Sequence, residues 1–145
     1  AVLMHQLEFG ERMLAFPGIR DYSMISVFTQ YTCNIELVSR VSKNAFRPRP
    51  AVESIILKIK PKNIRINEDF LAFARLLFQH KKKNLYSAVM DSRGKLNVKS
   101  KEEIREKLQE FKEKDKLKQK VFYLDINELE DIYDEMLRLG ICKKK

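Results

Sequence analysis

The residue types best suited to chemistry stand in one short run, Phe46-Arg47-Pro48-Arg49-Pro50. Two prolines so close together fix their own φ and press the residues before them into extended backbone, so this run is a stiff loop, short of backbone donors. An aromatic ring at the mouth of such a loop suits stacking on a nucleobase, worth ~1–3 kcal/mol per base, and it equally suits anchoring the adjoining strand. Arg47 and Arg49 flank the ring and fit either phosphate contacts or ordinary loop solvation. A second cluster, Lys81-Lys82-Lys83 preceded by His80, is the best local group of cations and fits a polyanion backbone or a solvated face. Other candidates offer less. His5 and His80 are far apart and no Cys-x-x-Cys accompanies them, so no metal ligation is expected. Cys33, beside Asn34, has no local base to activate it and reads as a buried thiol. Glu8, Glu11 and Arg12 read as ion pairs on a helix face.

The chain that must position these residues has 145 amino acids, 44% of them hydrophobic, enough for one or two compact units. Lys and Arg number 29 against 20 Asp and Glu, a formal charge of +9 that suits a polyanionic partner, nucleic acid first among them. Two cysteines make neither a disulfide framework nor a zinc cluster, and a reducing cytoplasm is the expected compartment. No apolar run approaches the roughly 20 residues needed to span a bilayer, so no membrane association is expected. The chain opens Ala1-Val2-Leu3-Met4, already inside an apolar run, as a fragment of a longer protein would.

Residues 1–5 read as a short buried strand, followed by an amphipathic helix that Pro17-Gly18 stops. A second helix is expected to start near Asp21 and to place Tyr22, Ile25, Phe28 and Thr29 on one side. Residues 34–41 alternate imperfectly and 52–59 read as a strand that Pro61 ends, which makes an antiparallel pair around the proline loop the expectation. From Asn67 helical spacing takes over, and the boundary falls near residues 61–67. Asn67 is placed to cap a helix bearing Phe70, Phe73, Ala74, Leu77 and Phe78; a shorter helix with Leu85, Ala88 and Val89 follows. Ser100 with Glu103 forms a capping-box pattern, and a last helix from about Asp125 carries Leu129, Ile132, Tyr133, Met136 and Leu137 inward and stops at Gly140. The charged stretch 112–120 reads as a solvated helix end or a mobile link.

Three stretches in order then carry a resemblance. Gln6-Leu7-Glu8-Phe9-Gly10-Glu11-Arg12-Met13, Asp21-Tyr22-Ser23-Met24-Ile25-Ser26-Val27 and the F-x-P-x-P-x-V-x-S run Phe46–Ser54 are together similar to the ribosomal RNA adenine dimethyltransferase family. The segment Phe78-Gln79-His80-Lys81-Lys82-Lys83-Asn84-Leu85 resembles that family's Phe-x-x-Arg-Arg-Lys-Thr-Leu, with lysines standing for arginines and Asn84 for Thr, so bidentate phosphate contacts become point-charge contacts.

The resemblance, closest to archaeal members, implies an α/β fold. Residues 1–61 would be the last strands and helices of a Rossmann-like methyltransferase domain, a partial sheet, and 62–145 a small all-α RNA-binding domain. It implies an S-adenosylmethionine-dependent parent enzyme that dimethylates N6 of adenosines in small-subunit rRNA, with rRNA or a pre-ribosomal particle as partner. Phe46 would stack on the target adenine, Pro48 and Pro50 would hold the loop, and Arg47, Arg49, Lys81, Lys82 and Lys83 would bind RNA. The family's Asn-Leu-Pro-Tyr motif and its glycine-rich cofactor loop do not occur, since the four glycines form no Gly-x-Gly. This chain alone is therefore expected to hold no catalytic residue, to bind no cofactor and to be inactive. An unpaired edge of the partial sheet offers dimerisation or swapping. The alternatives are a non-catalytic RNA-binding or ribosome-assembly module, and a transcription-factor role on duplex DNA.

Overall fold

Period-two stretches in the first part of the chain fold into strands and 3.6-period stretches in the second into helices, as the side-chain directions of the two structures require. The computed structural model describes residues 1–145, which separate into two units, Ala1–Ile66 and Asn67–Lys145. Together they carry a three-stranded sheet and seven α-helices.

In the first unit, strands β1 (Val2–Gln6), β2 (Cys33–Val41) and β3 (Ser54–Pro61) form a sheet of order β1-β3-β2. β3 is antiparallel to both neighbours, so β1 and β2 run the same way. The antiparallel pair expected around the proline loop is present as β2 and β3. A parallel pair needs a crossover, and here it carries α1 (Leu7–Leu14) and α2 (Met24–Thr32). Met13 of α1 packs with Ile55 and Leu57 of β3, and Leu7, Leu14, Ile25, Ile35 and Ile59 close around them. Ile55 and Leu57 are fully buried, each contributing roughly 1.5–3 kcal/mol. The close crossing of α1 over β3 needs Gly10, because a Cβ there would lie 2.1 Å from Ile55 Cγ2.

α2 also completes the end of α1, whose last carbonyls have no intrahelical partners. Gln30 Nε2 donates to the carbonyls of Met13 (2.9 Å) and Ala15 (2.8 Å), and the Ser26 hydroxyl donates to that of Arg12. The helix starts at Met24, not near Asp21: Ser23 is its N-cap, and the Ser23 N–H donates to Ser26 Oγ at 3.1 Å. Phe28 is exposed, against expectation, while Ser26, Val27 and Thr29 are buried. β1 differs too. It is an outer strand, with Val2 63% and Met4 52% exposed, because apolar composition does not supply the second neighbour that burial requires. A bulge at Val38 accounts for the imperfect alternation of β2.

The second unit is helical: α3 (Glu68–Phe78), α4 (Leu85–Asp91), α5 (Lys101–Leu108), α6 (Lys114–Leu117) and α7 (Ile126–Arg138). Side-chain caps start α3, α4, α5 and α7 where the sequence places oxygen acceptors. Asn67 Oδ1 accepts from the Phe70 N–H at 3.0 Å, Asn84 Oδ1 from Ser87 at 2.8 Å, and Asp125 Oδ1 from Glu128 at 2.7 Å while Glu128 Oε1 accepts back from the Asp125 N–H. At α5 the box is displaced by one residue: Ser100 caps Glu103, but the Glu103 carboxylate accepts from the Lys99 N–H at 2.7 Å. α7 ends before Gly140, whose φ of +76° is the left-handed turn glycine tolerates. Leu85, Val89, Ile104, Leu124, Leu129 and Met136 form a fully buried core, with Phe70 edge-on to Tyr133 at 5.9 Å. Leu137, expected inside, is only half-buried. Residues 112–120 are not a free link: Leu117 is buried, and Lys116 pairs with Glu113 at 2.8 Å and Glu128 at 3.8 Å. No helix is long and apolar enough to cross a membrane.

Candidate nucleic-acid interface

The proline loop joins β2 to β3, and its position follows from strand direction. Gln6 at the end of β1 and Val41 at the end of β2 both stand opposite Ser54, so the loop 42–53 lies at the carboxyl edge of the two parallel strands. That edge is where open α/β sheets bind ligands, because loops there are free of the packed layers. The loop is tied at both ends. A 3-10 turn, Lys43–Ala45, begins where Ser42 accepts from the Ala45 N–H through its carbonyl (3.0 Å) and from the Asn44 N–H through its hydroxyl (3.2 Å). The Glu53 carbonyl accepts from the Leu7 N–H at 2.9 Å, pinning the returning chain to the start of α1.

Between these ties Phe46 and Pro50 are half-buried while Arg47, Pro48 and Arg49 are exposed. The Arg47–Pro48 peptide bond is cis. The ring is thus neither sealed in the core nor loose in solvent, and the two guanidinium groups flank it from exposed positions. Arg40, just before the loop, reaches Glu11 of α1 at 3.5 Å.

In the helical unit, Lys81, Lys82 and Lys83 occupy the turn between α3 and α4. The segment after α6 closes on this turn: the Val121 N–H donates to the Lys83 carbonyl (3.0 Å), Phe122 to Lys81 (3.2 Å) and Leu85 to Gln119 (2.8 Å). Lys82 is exposed, whereas the Lys83 ammonium pairs with Asp91. That hydrogen bond holds the Asp91 carboxyl below its usual range. Asn84 bridges to Lys120, which brings a further exposed lysine beside the turn.

Tyr123 follows, 53% exposed, its ring 4.6 Å from that of Phe122. Sequence reasoning missed both Lys120 and Tyr123. The available signal was an aromatic pair directly after a lysine-rich run, a combination suited to stacking bases beside phosphate contacts. His5 packs on Phe9 at 5.2 Å, in a different unit from His80. No group of three His, Cys, Asp or Glu residues is gathered as a metal site would need.

The family model described as ribosomal RNA adenine dimethylase matches residues 1–131. A probable ribosomal RNA small subunit methyltransferase A of Thermococcus gammatolerans is 37% identical over 149 residues, covering 100% of this chain and 51% of the relative. One from Pyrococcus abyssi is 39% identical over 140 residues, covering 95% and 49%. The chain thus spans about half the length of the curated relatives it matches. Among solved structures, a dimethyladenosine transferase from Plasmodium falciparum superposes with a TM-score of 0.78 at 26% identity, covering 97% of this chain and 58% of that one. The 23S rRNA methyltransferase ErmE, at 16% identity and a TM-score of 0.52, shares the fold.

Proposed function

Because the chain belongs to the ribosomal RNA adenine dimethylase family, we propose that it is the later portion of an enzyme that methylates N6 of adenosines in small-subunit rRNA during ribosome biogenesis, with S-adenosylmethionine as methyl donor. In this reading residues 1–61 end the catalytic domain and 62–145 form its RNA-binding domain. The observation that carries it is the F-x-P-x-P-x-V-x-S loop lying at the carboxyl edge of two parallel strands.

Methyl transfer to an exocyclic amine is an in-line displacement, so the protein's task is to hold nucleophile and methyl in line. An adenine stacked in RNA must first be extruded, and its faces must be clamped. Phe46 supplies one face of the clamp. Pro48 and Pro50 limit the conformations open to the loop. Arg47 and Arg49 meet phosphates near the base, and Lys81, Lys82 and Lys83 of the helical unit bind the RNA backbone, with Lys83 shared with Asp91.

The cofactor does not fit on these residues alone. Gly10 lies within α1 against Ile55, Gly18 and Gly140 occupy positive-φ positions in turns, and Gly94 lies in a 3-10 turn, so none opens a glycine-rich loop after a strand that could approach the cofactor. The 145-residue chain is accordingly expected to bind RNA and to transfer no methyl group. A non-catalytic RNA-binding module is the second reading, favoured by one observation: the helical unit closes its own core.

The test uses the full-length protein. Phe46→Ala should lower methyl transfer to small-subunit particles by about tenfold or more while leaving S-adenosylmethionine affinity unchanged. Equal loss of both would mean misfolding, and no loss would remove the stacking role. Absence of any methyl transfer by the unaltered full-length protein would leave the binding-module reading.

A further inference from the structure

The helical unit holds a cleft that the contacts proposed above leave unused. It encloses about 430 Å³ between α3, the segment Lys95–Asn97 and the residues after α7. That size falls in the range of small-molecule sites and suits a single nucleotide. Its floor is aromatic. Phe73 and Tyr133 are each 3% exposed, with ring centroids 5.6 Å apart and planes inclined at 44°. Ala72, Leu76 and Leu96 make the walls.

Tyr133 separates this cleft from an ordinary packing gap. Its hydroxyl is buried and makes no hydrogen bond, although native proteins pair nearly all such groups. A phenol is protonated and able to donate at neutral pH, and burial raises the pKa of this one further. Asn97 also lines the cleft; its Nδ2 donates to the Gly140 carbonyl at 3.3 Å, leaving Oδ1 as an acceptor.

The rim is cationic. Arg75, Lys95, Lys143 and Lys145 line it against a single acid, Asp69, whose carboxylate accepts from the Lys145 backbone N–H at 3.2 Å. An aliphatic ligand would leave the Tyr133 hydroxyl and the Asn97 amide oxygen unpaired, and an acidic peptide would not use an aromatic floor. A nucleotide uses both, and the rim cations meet its phosphate.

We infer that this cleft accepts one unpaired nucleotide of an RNA strand, its base over Phe73 and Tyr133 and its phosphate among the rim cations. The inference rests on the RNA-binding reading and adds to it a site for a base that projects from a helix.

Fluorescence anisotropy with the 145-residue chain and two labelled hairpins tests it, one carrying a single unpaired adenosine, the other fully paired. The bulged hairpin should bind about tenfold more tightly. Ala72→Trp, which fills the cleft from an exposed helix position, should abolish that preference. Tyr133→Phe, which keeps the ring and removes the hydroxyl, should reduce it severalfold and carries the test if Ala72→Trp shifts the unfolding midpoint. Lys82→Glu should weaken both hairpins alike. Equal binding of the two hairpins, unmoved by either cleft variant, overturns the cleft and leaves the RNA reading standing; binding of neither overturns both. Tight competition by free AMP without a bulge preference would also overturn it, by assigning the cleft to a free nucleotide.

Discussion

In the helical unit Leu85, Val89, Ile104, Leu124, Leu129, Met136 and Ile141 have no solvent exposure, and Tyr123 is the one large apolar side chain left outside. In the sheet unit Tyr22, Val27, Ile55 and Leu57 are enclosed to a comparable degree, while Val2, Leu3, Met4, Phe28, Leu37 and Val38 face solvent. The sheet unit is the richer of the two in apolar residues. The difference is one of layers. The helices of the second unit surround a shared centre, whereas the sheet of the first has α1 and α2 packed on one face and an open outer strand in β1. Apolar composition states what a segment would bury, and architecture supplies or withholds the surface that buries it.

The contrast can be broken by mutation. The largest effect is expected at Leu129→Ala, which opens a cavity in the closed core and should cost about 2–5 kcal/mol in denaturant unfolding of the helical unit; a cost as small as that of a surface change would show that core to be loose. Gly10→Ala should destabilise the sheet unit by about 1–3 kcal/mol, because the new methyl meets Ile55 and α1 must lift from β3. Hydrogen exchange should quicken in β3 and α1 but not in α7. Tyr133→Phe should raise the midpoint of thermal unfolding, by about 1 kcal/mol in stability, since it removes a buried hydroxyl that has no partner.

Smaller still is Asp91→Asn. The Lys83 hydrogen bond lowers the Asp91 pKa, so the pair stabilises the folded state above the ordinary carboxylate pKa, and this contribution is lost as pH falls through the depressed folded value. Both side chains are largely exposed and screened, so the deficit of the variant at neutral pH should be under about 1 kcal/mol and should shrink in acid. The smallest effect is expected at Met4→Ser on the open strand, within about 0.5 kcal/mol, with a gain in solubility as the measurable benefit. A large loss there would mean that β1 is covered in solution.

What could be read before the fold was known divides along a physical line. The caps at Asn67, Ser100 and Asp125 depend on atoms within three or four residues, and the local pattern placed those helix starts near where they lie; it did not anticipate α6, which the charged run 112–120 conceals. The α2 start was misplaced because two candidate acceptors, Asp21 and Ser23, stand two residues apart. Only Ser26 reaching the end of α1 and Ser23 decides between them. The stiffness of the Phe46–Pro50 loop is likewise a local property of proline.

The position of that loop at the carboxyl edge of two parallel strands required the sheet order, a relation among residues 6, 41 and 54 that no window of sequence contains. In the same way Lys83 is drawn to Asp91, Lys120 is carried beside Asn84, and Tyr133 is left unpaired at a cleft built from three separated segments. The sequence by itself determined periodicity, caps, charge and the proline-stiffened aromatic, all of them short-range consequences of backbone geometry and side-chain chemistry. Tertiary structure alone decided which lysines stay free, which aromatics face outward and where space remains, because those outcomes depend on long-range packing between segments that chain connectivity does not constrain.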